Sequence, residues 1–217
     1  MAQEFPLPLD AFFRAVRPTI LTMDVSDPRS GMETRGGDMV SMNVGSRLWY
    51  GSFSVRPQKT FTADKMAAKA SILRQAGATF LVTDGRRKGP MSDPRGEILG
   101  AASPSIQSIA TNRVEVDLIG LPAGYALTFG DLFSINYASG EKYSLHRVYG
   151  DHVANGSGVA ASVEVYPPLP QGVNGTPAIQ LIEPVCKAVV DPQSFQPQRQ
   201  GAALTTGFTL NWTQTLR

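Results

Sequence analysis

The sequence predicts a mainly β protein in two parts. Residues 1–90 and 186–217 are expected to form one split β-barrel or sandwich with a single α-helix. Residues 91–185 are expected to form a small β-barrel inserted into it. Three observations lead there. The 217 residues include 21 Gly and 16 Pro, which favours tight turns and short strands over long helices. Short runs of alternating apolar and polar residues recur along the chain. Only one segment carries helical periodicity.

The opening "EFPLPLDAFF" combines Pro6 and Pro8 with Phe5, Phe12 and Phe13, and reads as an extended docking arm or a short helix after Asp10. "TILTMDV" is a first strand, and the polar stretch "SDPRSGMETRGGD" reads as a loop. In "MVSMNVGSRLWYGSFSV", Val40, Met42 and Val44 share one side, with Trp49, Gly51, Phe53 and Val55 following. Gly45-Ser46 is expected to turn the chain between two paired strands. The helix is "TADKMAAKASILRQAG": Thr62 suits the N-cap, Asp64 suits the positive end of the dipole, and Gly77 suits a left-handed stop. Met66, Ala70 and Leu73 make its apolar stripe. Ile72 lies off that stripe near Lys69, so these two are candidates for contact with another subunit; the alternative is plain exposure. "ATFLVTD" returns as a strand.

"GRRKGPMSDPRGE" is a basic, Gly/Pro-rich connector. About five short strands follow, in "PSIQSIATN", "RVEVDLIGL", "LFSINYA", "YSLHRVYG" and "GVAASVEVYPPL", as in a small barrel or sandwich. The middle pair reads as a hairpin turned at "ASGE", each strand with a mainly apolar face. In the tail "GAALTTGFTLNWTQTLR", Leu204, Phe208, Leu210 and Trp212 share one parity, which predicts a long final strand. It is too apolar to stand alone, and its expected partners are the strands ending at Trp49 and Phe53. Trp49, Phe53, Phe208 and Trp212 are therefore the predicted core of the outer part.

Composition and motifs argue against most chemistry. Net charge is +2, no case for gripping nucleic acid or a membrane surface. The 18% of charged residues is low and fits a surface covered by neighbouring subunits. No apolar run is long enough to span a membrane, and the N-terminus lacks the pattern of a secretion signal, so folding in a cytoplasm is expected. One Cys and two His make a zinc set improbable without carboxylates, and Cys186 reads as a buried inert thiol. "TRGGD" and "NGSGVA" match neither a phosphate loop nor a dinucleotide fingerprint. "MDVSDP" lacks the spacing and closing Glu of a calcium loop. No serine sits in a nucleophile elbow, and adjacent Asp151 and His152 point to opposite sides of an extended chain. His146 reads as structural. Arg86, Arg87, Lys88 and Arg95 read as a solvated connector or as phosphate contacts. No catalytic, cofactor or metal residues are assigned.

The stretch from Leu121 to Pro170 resembles a segment of the distal tail proteins of long, non-contractile-tailed phages and prophages. The resemblance rests on the Leu121–Gly124 entry "LPAG", the strand "GDLFS" at Gly130–Ser134 and "LHRV" at Leu145–Val148. The "NGSG" turn at Asn155–Gly158 and the Pro167–Leu169 ending complete it. "RLWYGSFSV", the helix, "ATFLVTD" and the closing "FTLNWTQTLR" are similar to the belt part of the same family. The resemblance implies a belt domain that forms a ring, commonly hexameric, with an inserted barrel of oligonucleotide-binding-like type. It further implies a virion tail tip assembled in the host cytoplasm, no enzyme activity and no cofactor. Implied partners are further copies of the chain, the tail tube protein and the tail hub or tip protein, with tape-measure protein or DNA passing through the lumen. The alternatives are another tail tube or completion protein, a carbohydrate-binding module, and a hydrolase using His152.

Overall fold

The computed structural model describes residues 4–196, 201 and 204–217. The elements run α1 (Phe13–Val16), β1 (Ile20–Val25), β2 (Arg29–Glu33), β3 (Met39–Asn43), β4 (Trp49–Ser54), α2 (Thr60–Ile72) and β5 (Phe80–Thr83). There follow β6 (Ser105–Ile109), β7 (Glu115–Ile119), β8 (Ala126–Leu127), β9 (Leu132–Tyr137), β10 (Lys142–Tyr149) and β11 (His152–Val153). The chain continues through β12 (Ala160–Tyr166), β13 (Ile179–Gln180), β14 (Val185–Val190) and β15 (Thr209–Gln214). The protein is mainly β, as the glycine, proline and alternation patterns predict.

One sheet has the order β1-β4-β15-β14-β5 and draws on both ends of the chain. Trp212 pairs with Gly51 and Leu210 with Phe53, which places the final strand beside β4 as its apolar parity required. Glycine at 51 and 207 is forced by close backbone approach: a Cβ at Gly51 would collide with the Thr22 carbonyl, and one at Gly207 with the Val55 carbonyl. The final strand is shorter than its alternation predicts. It begins at Thr209, and before Gly207 the parity reverses, so that Thr205 is buried and Leu204 exposed.

The other sheet has the order β13-β9-β10-β12-β7-β6. It curls until its edges meet. Ser105 bridges Ala178, the Ile106 N–H donates to Pro177 O at 3.0 Å, and the Ile179 N–H donates to Pro104 O at 2.9 Å. Edge-to-edge contact satisfies backbone groups that an open sheet would leave to solvent.

Each sheet lines its own core. Phe12, Phe13, Trp49, Phe53, Phe80, Phe208 and Trp212 belong to the first; Phe53 meets four of the other phenylalanines edge-on. Ile106, Leu118, Tyr125, Phe133, Ile135 and Val163 belong to the second. The β9–β10 hairpin stands between them. Leu132 and Leu145 face the first core, while Phe133, Ile135 and Val148 face the second. Strand periodicity sends successive side chains to opposite faces, so a strand between two cores must be apolar on both.

Two local expectations fail. Gly45-Ser46 does not join β3 to β4 as a hairpin. Instead β3 pairs with β2, formed by residues expected to be loop, with Met32 opposite Val40 and Ser30 opposite Met42. The polar composition of 26–38 hid a strand whose partner, not its own sequence, makes it extended. The helix begins at Thr60, before Thr62, and its N-cap position, Lys59, provides no side-chain cap. The stripe is placed as expected: Ala70 and Leu73 are buried and Met66 packs on the core. The short helix after Asp10 is α1; Gly77 is left-handed at φ 82°, but α2 already ends at Ile72, so the glycine is not its stop.

Candidate functional site

The four predicted core aromatics come together. Trp49, Phe53, Phe208 and Trp212 are all buried in the first core. Trp49 does more than fill space. Its Nε1–H donates to the Leu145 carbonyl at 2.7 Å, and Arg147 lies over its ring at 5.0 Å. Both partners belong to β10, so this tryptophan fastens one sheet to the other. Gln214 acts beside it: its Oε1 accepts the Trp49 N–H at 3.2 Å, and its Nε2 donates to Tyr143 O at 3.4 Å. On the far side, the Val185 N–H donates to Ser134 Oγ at 3.1 Å. Trp212 has no such link; its indole N–H is buried without a hydrogen-bond partner among the described residues.

Lys69 and Ile72 lie three residues apart in the last turn of α2, neighbours on its surface. Lys69 Nζ donates to the Ala11 carbonyl at 2.8 Å, tying α2 to the N-terminal segment. Ile72 is half-buried. The outer face of α2 also displays Phe61, 72% exposed, with Lys65 Nζ 4.3 Å over its ring. Phe61, Lys65, Ala68 and Ile72 follow i, i+4, i+7, i+11 spacing, so the helix period offered this second face.

The titratable groups are committed to structure. His146 is buried: its Nδ1 lies 2.8 Å from Pro167 O, and its Nε2 2.7 Å from Ser144 Oγ. The carbonyl can only accept, which puts the proton on Nδ1 and leaves Nε2 to accept from the serine hydroxyl. Burial pushes the imidazole down to about 4, so it is neutral at physiological pH. Ser144 is itself buried, and the pair reads as a satisfied core contact. His152 is half-buried, with Nε2 3.3 Å from Tyr149 O, and the neighbouring Asp151 accepts the Phe129 N–H at 2.9 Å. Burial pushes the Cys186 thiol up, as expected of an inert thiol.

The connector cations all meet acids. Arg86 forks onto Asp84, Arg87 reaches the fully buried Asp131 at 3.3 Å, Lys88 lies 3.4 Å from Glu183, and Arg95 lies 3.6 Å from Glu97. Burial alone would raise the Asp84 carboxyl, but the Arg86 hydrogen bonds outweigh it and hold the group below its usual range. Asp93 is likewise held down against burial by backbone N–H groups of the loop it organises, Leu99 first among them. Among the described residues, no three His, Cys, Asp or Glu side chains gather as a metal site, and no helix is long and apolar enough to cross a membrane.

What remains unsatisfied is the β2–β3 ribbon. Residues 29–46 are exposed without interruption. The register sets Ser30, Met32, Val40 and Met42 on one face, while Arg29, Gly31, Glu33, Met39, Ser41 and Asn43 lie on the other. Sequence reasoning found half of this, the Val40, Met42, Val44 alternation, but assigned it to the wrong partner. Compared with known proteins, the chain matches no family model and no curated protein sequence.

Proposed function

We propose that this chain is a structural subunit of a phage tail tip. It forms a ring that joins the tail tube to the hub and leaves a lumen for tape-measure protein and DNA. The ring is read as hexameric and sits in the virion tail tip, after assembly in the host cytoplasm. In this reading the sheet built from both chain ends is the belt, and the curled sheet between is an inserted barrel of oligonucleotide-binding-like type. The mechanism is association, with no enzymatic step.

The observation that carries this reading is the ribbon. A folded protomer with two cores still presents an apolar face that no described residue covers. Surfaces of that kind mark contacts with other macromolecules. The commitment of His146, the buried Asp131 and the connector cations to internal partners supports a binding role over a catalytic one. Negative-stain microscopy of the purified protein is the test. Closed rings of uniform diameter are expected; a uniform field of single protomers at high concentration would contradict the reading.

A second reading, a carbohydrate-binding module, is favoured by Phe129 and Tyr149. Their rings lie 4.8 Å apart and are 53% and 56% exposed, a platform on which a sugar face can stack. Binding to a glycan array by the monomer, lost in Tyr149→Ala, would favour it.

A further inference from the structure

The ribbon β2–β3 is two strands of five residues with no third strand beside it among the described residues. An isolated two-stranded ribbon is marginal in water and needs a surface to lie on. Its apolar face is explicit: Met32, Val40, Met42 and Val44 are 71%, 55%, 68% and 68% exposed.

A matching surface exists elsewhere on the same chain. The first sheet ends in β1 on one side and β5 on the other. The outer edge of β5 is taken by the N-terminal segment, through the Leu7–Phe80 bridge and the Leu81 N–H to Leu7 O bond of 3.0 Å. The outer edge of β1 has no strand partner among the described residues, and Ile20 on it is 62% exposed. A six-residue edge left open is a site for pairing with another chain. At the Ile20 end of β1 opens a cavity of about 540 Å³ with an apolar floor that includes Phe13, Pro18, Ile20 and Leu21. Methionine side chains are unbranched and adaptable, suited to filling such a space.

The occupant is a second copy. The ribbon leaves β1 at Val25, while the cavity opens at Ile20, roughly 17 Å away along the strand. In its own protomer the ribbon face stays exposed, so it does not fold back on this cavity. Two different patches on one chain make a head-to-tail contact, which closes into a ring or runs on as a filament. The 18 consecutive exposed residues approach the roughly 20–30 that one side of a standard interface uses. We propose that the apolar face of the ribbon docks on a second copy of this chain, over the open edge of β1 and the cavity at its Ile20 end. This rests on the ring-forming reading above and names the surfaces that make the ring.

The test uses two variants of the full chain: M32E/M42E, which spoils the ribbon, and Ile20→Glu, which spoils the edge. Both change exposed side chains, so both are expected to melt with the wild-type protomer. Wild type is expected to assemble in light scattering, and each variant to need at least ten-fold more protein to do so. Mixed in equal amounts, the variants are expected to form two-chain complexes and nothing larger, because one keeps the edge and the other keeps the ribbon. A Met42→Cys, Ile20→Cys pair should then cross-link between chains, the buried Cys186 standing apart. If wild type assembles while either variant assembles equally well, or the mixture stays monomeric, the ribbon-on-edge contact is overturned and ring formation stands by another surface. If wild type remains monomeric at every concentration, both fall. Early melting of M32E/M42E as a monomer would place the ribbon on its own protomer and overturn the proposal.

Discussion

The two clearest hairpins of the molecule are opposites. In β9–β10 both faces are buried, one against each core, and the strands carry a tryptophan anchor, a histidine–serine contact and Arg147 over the Trp49 ring. In β2–β3 neither face is buried and no hydrogen bond joins the ribbon's strands to either core sheet among those described. Both are ladders of comparable geometry, so the ladder is not what sets their stability. Burial is. The first hairpin is held by its surroundings; the second, among the described residues, packs on neither core and is free to serve another chain.

The comparison breaks most visibly at Trp49. Trp49→Ala removes a buried aromatic and the bond to Leu145 O, at an expected cost of about 3–5 kcal/mol in chemical denaturation. Trp212→Ala should cost a similar amount through cavity formation alone.

His146 gives the next effect. The folded imidazole titrates at about 4 against 6.5 for the free group, so between those values the unfolded chain binds the extra proton. Stability from this group is complete above pH 6.5 and falls as pH drops toward 4, by roughly 3 kcal/mol in all. A His146→Gln variant should lose that slope in urea melts taken from pH 7 to 4. The carboxyls of Asp84, Asp93 and Asp117, all held low, extend the acid loss below the usual carboxylate range.

A finer contrast separates the two tryptophans. Trp49→Phe removes the donor to a buried carbonyl, whereas Trp212→Phe removes an indole N–H that has no partner among the described residues. The first should cost about 1–3 kcal/mol more than the second. Equal costs would mean that the Trp49 bond contributes little to joining the sheets. The smallest effect is expected on the ribbon. Met42→Glu should change protomer melting by no more than about 0.5 kcal/mol while weakening association. A large shift would erase the difference between the hairpins.

The sequence disclosed strands wherever one face meets a core. The parity of Phe208, Leu210 and Trp212, and the stripe of Ala70 and Leu73, are burial written as periodicity. It disclosed the β9–β10 turn but not that both faces are buried, because Ser134, Ser144 and His146 look solvent-facing until their hydrogen bonds are seen. The β2 strand was illegible for the opposite reason: Arg29, Ser30, Gly31 and Glu33 carry no apolar face of their own. The Lys69–Ala11 bond and the exposed Phe61 depend on where the N-terminal segment docks and where α2 turns its outer side, and neither is a local property.

Hydrogen exchange followed at two protein concentrations tests the central contrast most directly. In dilute protomer the Met39–Asn43 amides are expected to exchange rapidly while Leu132–Tyr137 stay protected, since only the latter lie between cores. In concentrated, assembled protein the ribbon amides should become protected and β9 should not change. Ribbon amides as slow as those of β9 in the dilute protomer, or fast in the assembled state, would contradict the assignment of β2–β3 as the surface this chain keeps for another copy.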